Sequence, residues 1–365
     1  MSISSHNFIL YGSGYSSHIL PCNNYLFNIS VYKIFKQLIF LCIFMYRVVV
    51  TDGLAPEAIN KLKSKGIEVD EISFTREEII DGAISGYDAV IIRSATRLDE
   101  KAINSNSGGT LKYICRAGVG VDNIDLKAAK RQNILVLNAP SSTTQSVAEL
   151  TIGHLISCVR RIPEADRLMK QGIWAKKQLR GTELSGKNLG LVGYGRIARK
   201  VAQIANSFGM NVHSYDPFLP KELFGSTLVH DSIESLFSTC THISVHCNLT
   251  EQTMNLIGER LIELMPNIGA DGSKCGTHLV SLSRGGIVNE KEIVKCLKSG
   301  KLTSLGLDVF EIEPVIKNEL LDCNNFIGTP HIAASTVEAQ IRVGLESVSQ
   351  VIMALEGEKP TNIVN

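Results

Sequence analysis

The chain has 365 residues, 44% hydrophobic and 20% charged, enough to bury the cores of two or three domains. Lys+Arg 37 against Asp+Glu 36 leaves a net charge of +1, which excludes the basic field of a nucleic-acid-binding protein and leaves room for a local cationic pocket that takes an anionic small molecule. Nine cysteines, odd in number and without a CxxC spacing, exclude a disulfide framework and a zinc site, so free thiols in a reducing compartment and no bound metal are expected.

Residues 1–37 are rich in Ser, Asn and Tyr and lead into LIFLCIFMY at 38–46. A secretory signal wants early positive charge and a small-residue cleavage site, whereas the first lysine is Lys33 and RVVVTDG follows the apolar run at once. Lys33 and Lys36 leave that run too short to span a bilayer, and the lack of Arg before Arg47 speaks against a transit peptide. Residues 1–45 are therefore expected to be an extension outside the fold, with Met45 as the natural start and a targeting segment as the alternative. The protein is expected in the cytoplasm, with no membrane partner.

From Arg47 onward short β-branched runs alternate with amphipathic segments, the pattern of βαβ units and a parallel sheet. The first series of strands is RVVVT (47–51), DAVIIR (88–93), LKYIC (111–115) and NILVL (133–137). The polar turn APSSTT then precedes a helical stretch from about Gln145 through Gly172, longer than an ordinary connector, and predicts a crossing between domains. The second series is KNLGLV (187–192), NVHSYD (211–216), THISVH (241–246), THLVSLS (277–283), LTSLGLDVF (302–310) and NFIGTP (325–330), with helices predicted at 199–208 and 289–300. A last helix from about Thr336 to Glu356 has no strand after it and is expected to return to the first domain. The expected organisation is α/β, with two doubly wound parallel-sheet domains: residues 46–145 together with 332–365, and residues 146–331.

GYGRIA at 193–198 follows a strand and opens a helix, and Asp216 ends the next strand 18 residues after Ala198. That context makes the turn a dinucleotide site. Gly193 allows the tight turn, and Gly195 lets the backbone approach a pyrophosphate at the positive end of the helix that starts with Arg196 and Ile197. Ala198 replaces the third glycine at the helix–sheet contact. The Asp216 carboxylate can accept both ribose hydroxyls of NAD and would repel the 2′-phosphate of NADP.

In a doubly wound sheet the ligand lies beyond the carboxyl ends of the strands. Arg284 follows Leu282 and Ser283 at the end of one strand, Asp308 closes LTSLGLD, His331 follows NFIGTP, and Glu313 lies 18 residues before His331. This set fits hydride transfer at the carbon of a 2-hydroxy acid. His331 suits the proton, as imidazolium for reduction and imidazole for oxidation. Glu313 would orient its ring and raise its pKa. Arg284 has the planar fork that pairs with a carboxylate and polarises the adjacent carbonyl, and Asp308 could accept from the nicotinamide carboxamide. Taken alone, each has a plainer reading as a solvated loop residue or a turn charge; their joint placement carries the argument.

SRGGIVNE (283–290), LDVFEIEP (307–314) and TPHIAAST (329–336), with VGYGRIA and RAGVGVDNID (116–125), are five ordered motifs spread over nearly everything from Met45 onward. In them the chain closely resembles the D-isomer-specific 2-hydroxyacid dehydrogenases. VIIRSATRLDEKAI (90–103), NAPSSTTQSVAELT (138–151) and GTELSGKNLGLVGYGRIAR (181–199) resemble the phosphoglycerate-handling branch of that family. The resemblance implies a flavodoxin-like substrate domain and a Rossmann NAD domain, with the active site in the cleft between them. It implies Arg284, Glu313 and His331 as the catalytic set, the main-chain amides of Gly118, Val119 and Gly120 for the substrate carboxylate, and Arg93 and Ser94 at the phosphate end. It further implies NAD contacts at Val119, Cys247, Leu282, Ser283, Asp308 and Ala334 besides the glycine turn, and a homodimer through the NAD domain in which the helix after Gln145 supplies much of the contact.

Several positions depart from the family pattern. Asn248 stands where Pro is usual, Ala333 where Gly is common, and NIGADGSKCGTH (267–278) is longer than usual, an expected exposed loop. Lys176 and Lys177 do not align with the arginine some relatives use for phosphate. The chain stops at GEKPTNIVN, with nothing after it to build the serine-binding regulatory domain of long relatives, so no serine feedback is expected. The substrate expected from these motifs is a phosphorylated 2-hydroxy acid. The alternatives are reduction of hydroxypyruvate or glyoxylate by the same residues, and an NAD-sensing corepressor of the kind this fold also supports.

Overall fold

Aliphatic runs, many of them β-branched, form strands buried on both faces, as a parallel sheet covered by helices on each side requires. In the computed structural model, which describes residues 46–365, the strands are β1 (Arg47–Val50), β2 (Glu68–Glu71), β3 (Ala89–Ile92), β4 (Tyr113–Arg116), β5 (Leu135–Asn138), β6 (Asn188–Val192), β7 (Asn211–Tyr215), β8 (Leu228–Val229), β9 (His242–Val245), β10 (His278–Ser281), β11 (Ser304–Leu307) and β12 (Phe326–Gly328). The helices are α1 (Pro56–Ser64), α2 (Arg76–Ile80), α3 (Glu100–Asn106), α4 (Leu126–Arg131), α5 (Thr144–Arg160), α6 (Ile162–Lys170), α7 (Arg196–Ser207), α8 (Ile233–Thr239), α9 (Glu259–Leu264), α10 (Glu290–Ser299) and α11 (Val337–Leu355). The extension expected over residues 1–45, with Cys22 and Cys42, lies outside the described residues.

The strands make two parallel sheets, one in the order β2-β1-β3-β4-β5 and one in the order β12-β11-β10-β9-β6-β7-β8. Each sheet reverses its winding once, between β1 and β3 and between β6 and β9, and a crevice opens there at the carboxyl ends of the strands. The two α/β units are the expected fold class. Helix α5 leaves the end of the first sheet and lies on β10 and β11 of the second. Helix α11 comes back: at Gly344 a side chain would meet the Ala58 Cβ of α1 at 2.8 Å, so the two helices cross where no side chain intervenes. The Tyr113 hydroxyl of β4 donates to the Ala354 carbonyl (2.9 Å), and the tail closes on β5 through Val364 N–H to Val136 O (2.9 Å).

The single long helix expected from Gln145 through Gly172 is two. It breaks at Arg161, which is left-handed at φ 53° and serves as C-cap of α5 and N-cap of α6. Pro163 enforces the break, since it has no N–H and its ring would press on the carbonyl four residues back. Two edge strands were not expected. EVDE of β2 is charged at three of its four positions and only half-buried, and the two residues of β8 are both exposed, so neither carries the apolar run by which a strand is read.

The long segment 267–278 is more than an exposed loop. It forms a narrow hairpin closed by the Ile268–Lys274 bridge, and its Asp271 carboxylate takes the Lys187 ammonium at 2.7 Å. Lys187 is buried, so the inserted segment supplies the counter-charge for a lysine beneath the second sheet. The Lys187 bond, followed by those from Ser273, holds the Asp271 carboxyl down at about 2. Among the described residues no His, Cys, Asp and Glu group is placed to hold a metal ion, seven cysteines are free, and no helix is long and apolar enough to cross a membrane.

Removing the exposed counter-ion of a buried lysine leaves the buried charge unpaired. Asp271→Asn is therefore expected to lower Tm at pH 7 by about 3 °C or more, and adding Lys187→Met to recover most of the loss. Equal Tm for the wild type and the single variant would show that the hairpin does not neutralise Lys187.

Candidate active site

At the crevice of the second sheet, β6 is followed by Gly193, which is left-handed (φ 85°) and packs so closely against the backbone at Cys247 that a Cβ would stand 2.9 Å from the Cys247 nitrogen. Only glycine lets β6 and the loop after β9 approach in this way. Gly195 then caps α7 with open space where a side chain would stand, and Arg196 and Ile197 begin the helix. This bare, amide-lined end fits a pyrophosphate. Ala198 is completely buried against the sheet. Asp216 accepts the amides of Tyr194 (2.9 Å) and Phe218 (3.0 Å), so it braces the turn as well as offering its remaining lone pairs to a ribose.

The opposite wall comes from the first sheet. After β3, Arg93 N–H donates to Asp52 Oδ2 (2.6 Å) and Thr96 N–H to the same oxygen (3.1 Å), which fixes the Arg93–Thr96 loop at the crevice between β1 and β3. After β4, Gly118 spends its N–H on the Arg116 carbonyl (2.8 Å). Of the three amides expected for a carboxylate, that leaves the N–H groups of Val119 and Gly120, which donate to no other described residue, while the Val119 carbonyl accepts from Asn138 Nδ2 (2.8 Å). Gly118 serves differently: at φ 152°, a Cβ there would lie 1.4 Å from Arg116 Nη1, so its absence makes the space for that guanidinium.

Between the walls lies a cavity of about 250 Å³ lined by Ser94, Arg116, Val119 and Gly120 on one side and by Ile197, Cys247, Leu282, Ser283, Arg284, Asp308, His331 and Ala334 on the other. Arg284 reaches across it, donating Nε–H to Asp122 Oδ2 (2.9 Å) and Nη1–H to the Ser283 carbonyl (2.7 Å). Its Nη2 rests against Gly120, where a Cβ would stand 1.8 Å away. The fork is thereby turned with one edge toward the open amides. Arg116 has its Nε buried without a partner, and burial, then the charges of Arg284 and Arg93, bring its pKa down to about 10, which still leaves a cation at neutral pH. The Cys247 thiol is pushed up to about 11 by burial and stays protonated.

His331 is presented by an unusual backbone. It is left-handed (φ 53°), a conformation uncommon outside glycine, and its N–H bonds to the carbonyls of Asp308 (2.9 Å) and Thr329 (3.0 Å). The Asp308 side chain, completely buried, accepts Thr329 Oγ1–H (2.6 Å), Ile332 N–H (2.8 Å) and Ala333 N–H (2.9 Å). Three of its four lone-pair positions are thus filled, and its main work is to hold this turn, with one position left for a cofactor amide. Glu313 Oε2 meets His331 Nδ1 at 2.7 Å while its Oε1 takes the Phe310 N–H (3.0 Å). The Glu313 bond raises the His331 pKa, against burial and with help from the Glu313 and Asp308 charges. Burial would raise the Glu313 pKa, but bonds from His331 and Phe310 and the positive charges nearby bring it below the usual carboxylate value.

Residues 152–333 match the family model described as D-isomer specific 2-hydroxyacid dehydrogenase, NAD binding domain. The chain is 40% identical over 314 residues to a hydroxypyruvate reductase of Thermotoga maritima, matching 85% of this chain and 98% of that one. It is 41% identical over 323 residues to a D-3-phosphoglycerate dehydrogenase of Methanocaldococcus jannaschii, matching 88% of this chain and 60% of that one. The chain belongs to the D-isomer specific 2-hydroxyacid dehydrogenase family. Its fold superposes on the crystal structure of the TT0316 protein from Thermus thermophilus with a TM-score of 0.78 at 31% identity, covering 87% of this chain and all of that one. The chain spans 60% and 59% of the length of the first two D-3-phosphoglycerate dehydrogenases it matches.

In this member of the D-isomer specific 2-hydroxyacid dehydrogenase family, Arg284, Glu313, His331, Asp308 and the glycine turn converge on one cleft. Arg93 is near enough for its charge to act on Arg116 but does not line the cavity itself. Arg116, Asp122 and Asp52 went unread in the sequence. Arg116 and Asp122 stand inside the motif RAGVGVDNID, whose glycines drew the attention, and only the fold shows that a guanidinium fills the space one of them leaves.

A proton donor with a raised pKa sets the pH dependence. With His331 as the expected proton donor, keto-acid reduction would need the charged ring, so its rate should hold above the ordinary histidine value of 6.5 and fall as pH rises through the elevated one. Glu313→Gln keeps an acceptor and removes the charge, so this limb of the kcat/KM profile should move to lower pH. Superimposable profiles would contradict the Glu313 role.

Proposed function

We propose that the chain catalyses NAD-dependent interconversion of 3-phospho-D-glycerate and 3-phosphohydroxypyruvate, as an NAD-dependent D-2-hydroxyacid dehydrogenase. The observation that carries the substrate is the pair Arg116 and Arg284 in one cleft, with Arg93 outside its lining but near enough for its charge to act on Arg116, in a chain whose net charge is only +1. One carboxylate needs one of these cations; a substrate with a carboxylate at one end and a phosphate at the other accounts for all three.

Arg284, aimed by Asp122, pairs with the substrate carboxylate beside the amides of Val119 and Gly120, and draws electron density from the neighbouring carbonyl. The glycine turn and the Asp216 carboxylate would hold NAD, which would supply or accept the hydride. His331 gives its proton to the carbonyl oxygen in reduction and takes it from the hydroxyl in oxidation, and Glu313 keeps the ring oriented and stabilises its charged form. Arg116 and Arg93, with Ser94, take the phosphate. The exposed apolar residues Ile162, Met169, Ile173 and Trp174 on and after α6 provide the face for a homodimer through the NAD-binding domain. A cytoplasmic role in serine biosynthesis is consistent with this chemistry and with the free thiols.

A second reading, hydroxypyruvate or glyoxylate reduction, is favoured by the Thermotoga maritima relative, which the chain matches over 98% of its length. The two differ at the phosphate end. NADH oxidation should therefore show the highest kcat/KM with 3-phosphohydroxypyruvate when it is compared with hydroxypyruvate and glyoxylate. Arg116→Met should raise KM for the phosphorylated acid at least tenfold more than for glyoxylate. Preference for the small acids, or an equal effect of Arg116→Met on all three, would assign the reductase activity instead. No turnover of any would return the binding-protein reading.

A further inference from the structure

Helix α5 buries Val147, Ala148, Thr151, Leu155 and Cys158 against the second sheet, and His154 lies in the middle of that stripe with 2% of its surface exposed. A leucine would suit the position. An imidazole there loses its water and needs hydrogen bonds to offset the loss, and His154 makes one: its Nε2 lies 3.0 Å from Thr329 Oγ1. Its Nδ1 is buried without a partner, facing Gly306 of β11, where a Cβ would come within 2.8 Å of it. As a core residue, His154 is therefore a poor choice twice over.

The direction of the bond follows from the proton count. The single hydroxyl proton of Thr329 goes to Asp308 Oδ1 at 2.6 Å, a carboxylate oxygen that can only accept. The Thr329 oxygen is left as an acceptor, so His154 donates through Nε2–H and carries its lone pair on Nδ1. Burial, opposed by the Asp308 charge, lowers its pKa and favours this neutral ring. The result is a polarised chain, His154 to Thr329 to Asp308, ending on the carboxylate that also receives the amides of the two residues after His331. Successive bonds of this kind strengthen one another in a dry interior.

We propose that His154 is a positioning residue for the proton-transfer step, orienting the Asp308 carboxylate through Thr329 and, with it, the left-handed turn that presents His331. This rests on the reading of His331 as the proton carrier of a 2-hydroxyacid dehydrogenase. His154 is not among the residues that line the cleft, so it acts only through the chain of bonds.

Stability and activity should move apart. His154→Leu fills the apolar position and removes the donor, so Tm should hold or rise while kcat falls about 5- to 20-fold, with KM for the keto acid and Kd for NADH within about 2-fold of wild type. His154→Gln, whose amide can donate to Thr329, should recover most of the loss. Once Thr329→Val has cut the chain, adding His154→Leu should cost nothing further. An unchanged kcat in the leucine variant, a glutamine variant no better than it, or fully additive losses would overturn the proposal. If the wild type turns over no keto acid, the reading of the reaction fails by itself, and the His331 imidazole resonances still decide this one. A displaced His331 signal in His154→Leu supports the positioning role, and superimposable signals overturn it.

Discussion

A carboxylate sealed from water just past the end of a buried strand must find its hydrogen-bond donors in the chain itself, and at Asp308 that requirement shapes the cleft. Its oxygens draw in the Thr329 hydroxyl and the amides of Ile332 and Ala333, folding the segment after β12 back over the strand ends. His331 is the residue left at the top of that fold, in a backbone conformation that a non-glycine residue keeps only when its surroundings hold it there. Glu313 arrives from the other side, its loop fixed by the bond from Glu311 N–H to the buried Glu290 (2.7 Å). The His331–Glu313 pair is thus held in place by the bonds of the segments that carry it.

The same device recurs at both sheet crevices. Asp52 takes the amides of Arg93 and Thr96 where the first sheet reverses, and Asp216 takes those of Tyr194 and Phe218 where the second does. Each carboxylate ties a loop that would otherwise be free to wander, and each leaves a ligand-binding edge facing the cleft. Arg284 bridges the two walls through Asp122, whose carboxylate is two-thirds exposed. The pair is weak in its own right, and its consequence is orientation, one edge of the guanidinium turned to the amides of Val119 and Gly120.

Much of this was legible in the sequence. The strand runs of both sheets are apolar because both faces are covered, and the glycine turn is marked by its strand, helix and acidic residue. The charged residues after β10, β11 and β12 could be placed together without coordinates, because parallel strands bring their carboxyl ends to one edge. What stayed hidden has a common cause. β2 and β8 lie at sheet edges and lack an apolar run. Arg116 and His154 are polar residues whose surroundings are set by glycines, Gly118 two residues on and Gly306 far along the chain, and a glycine's missing side chain is a space only the fold reveals. Segment 267–278 was readable as inserted, but not as the source of a counter-charge for Lys187.

The central claim is that His331 moves the proton in a cleft that otherwise binds its ligands unaided. Its most direct test is the His331→Gln variant, assayed for NADH oxidation with the best keto acid and for NADH affinity by fluorescence. The account predicts a fall in kcat of about 10²- to 10⁴-fold with NADH binding unchanged. Turnover near that of the wild type would contradict it and require another proton donor in the cleft.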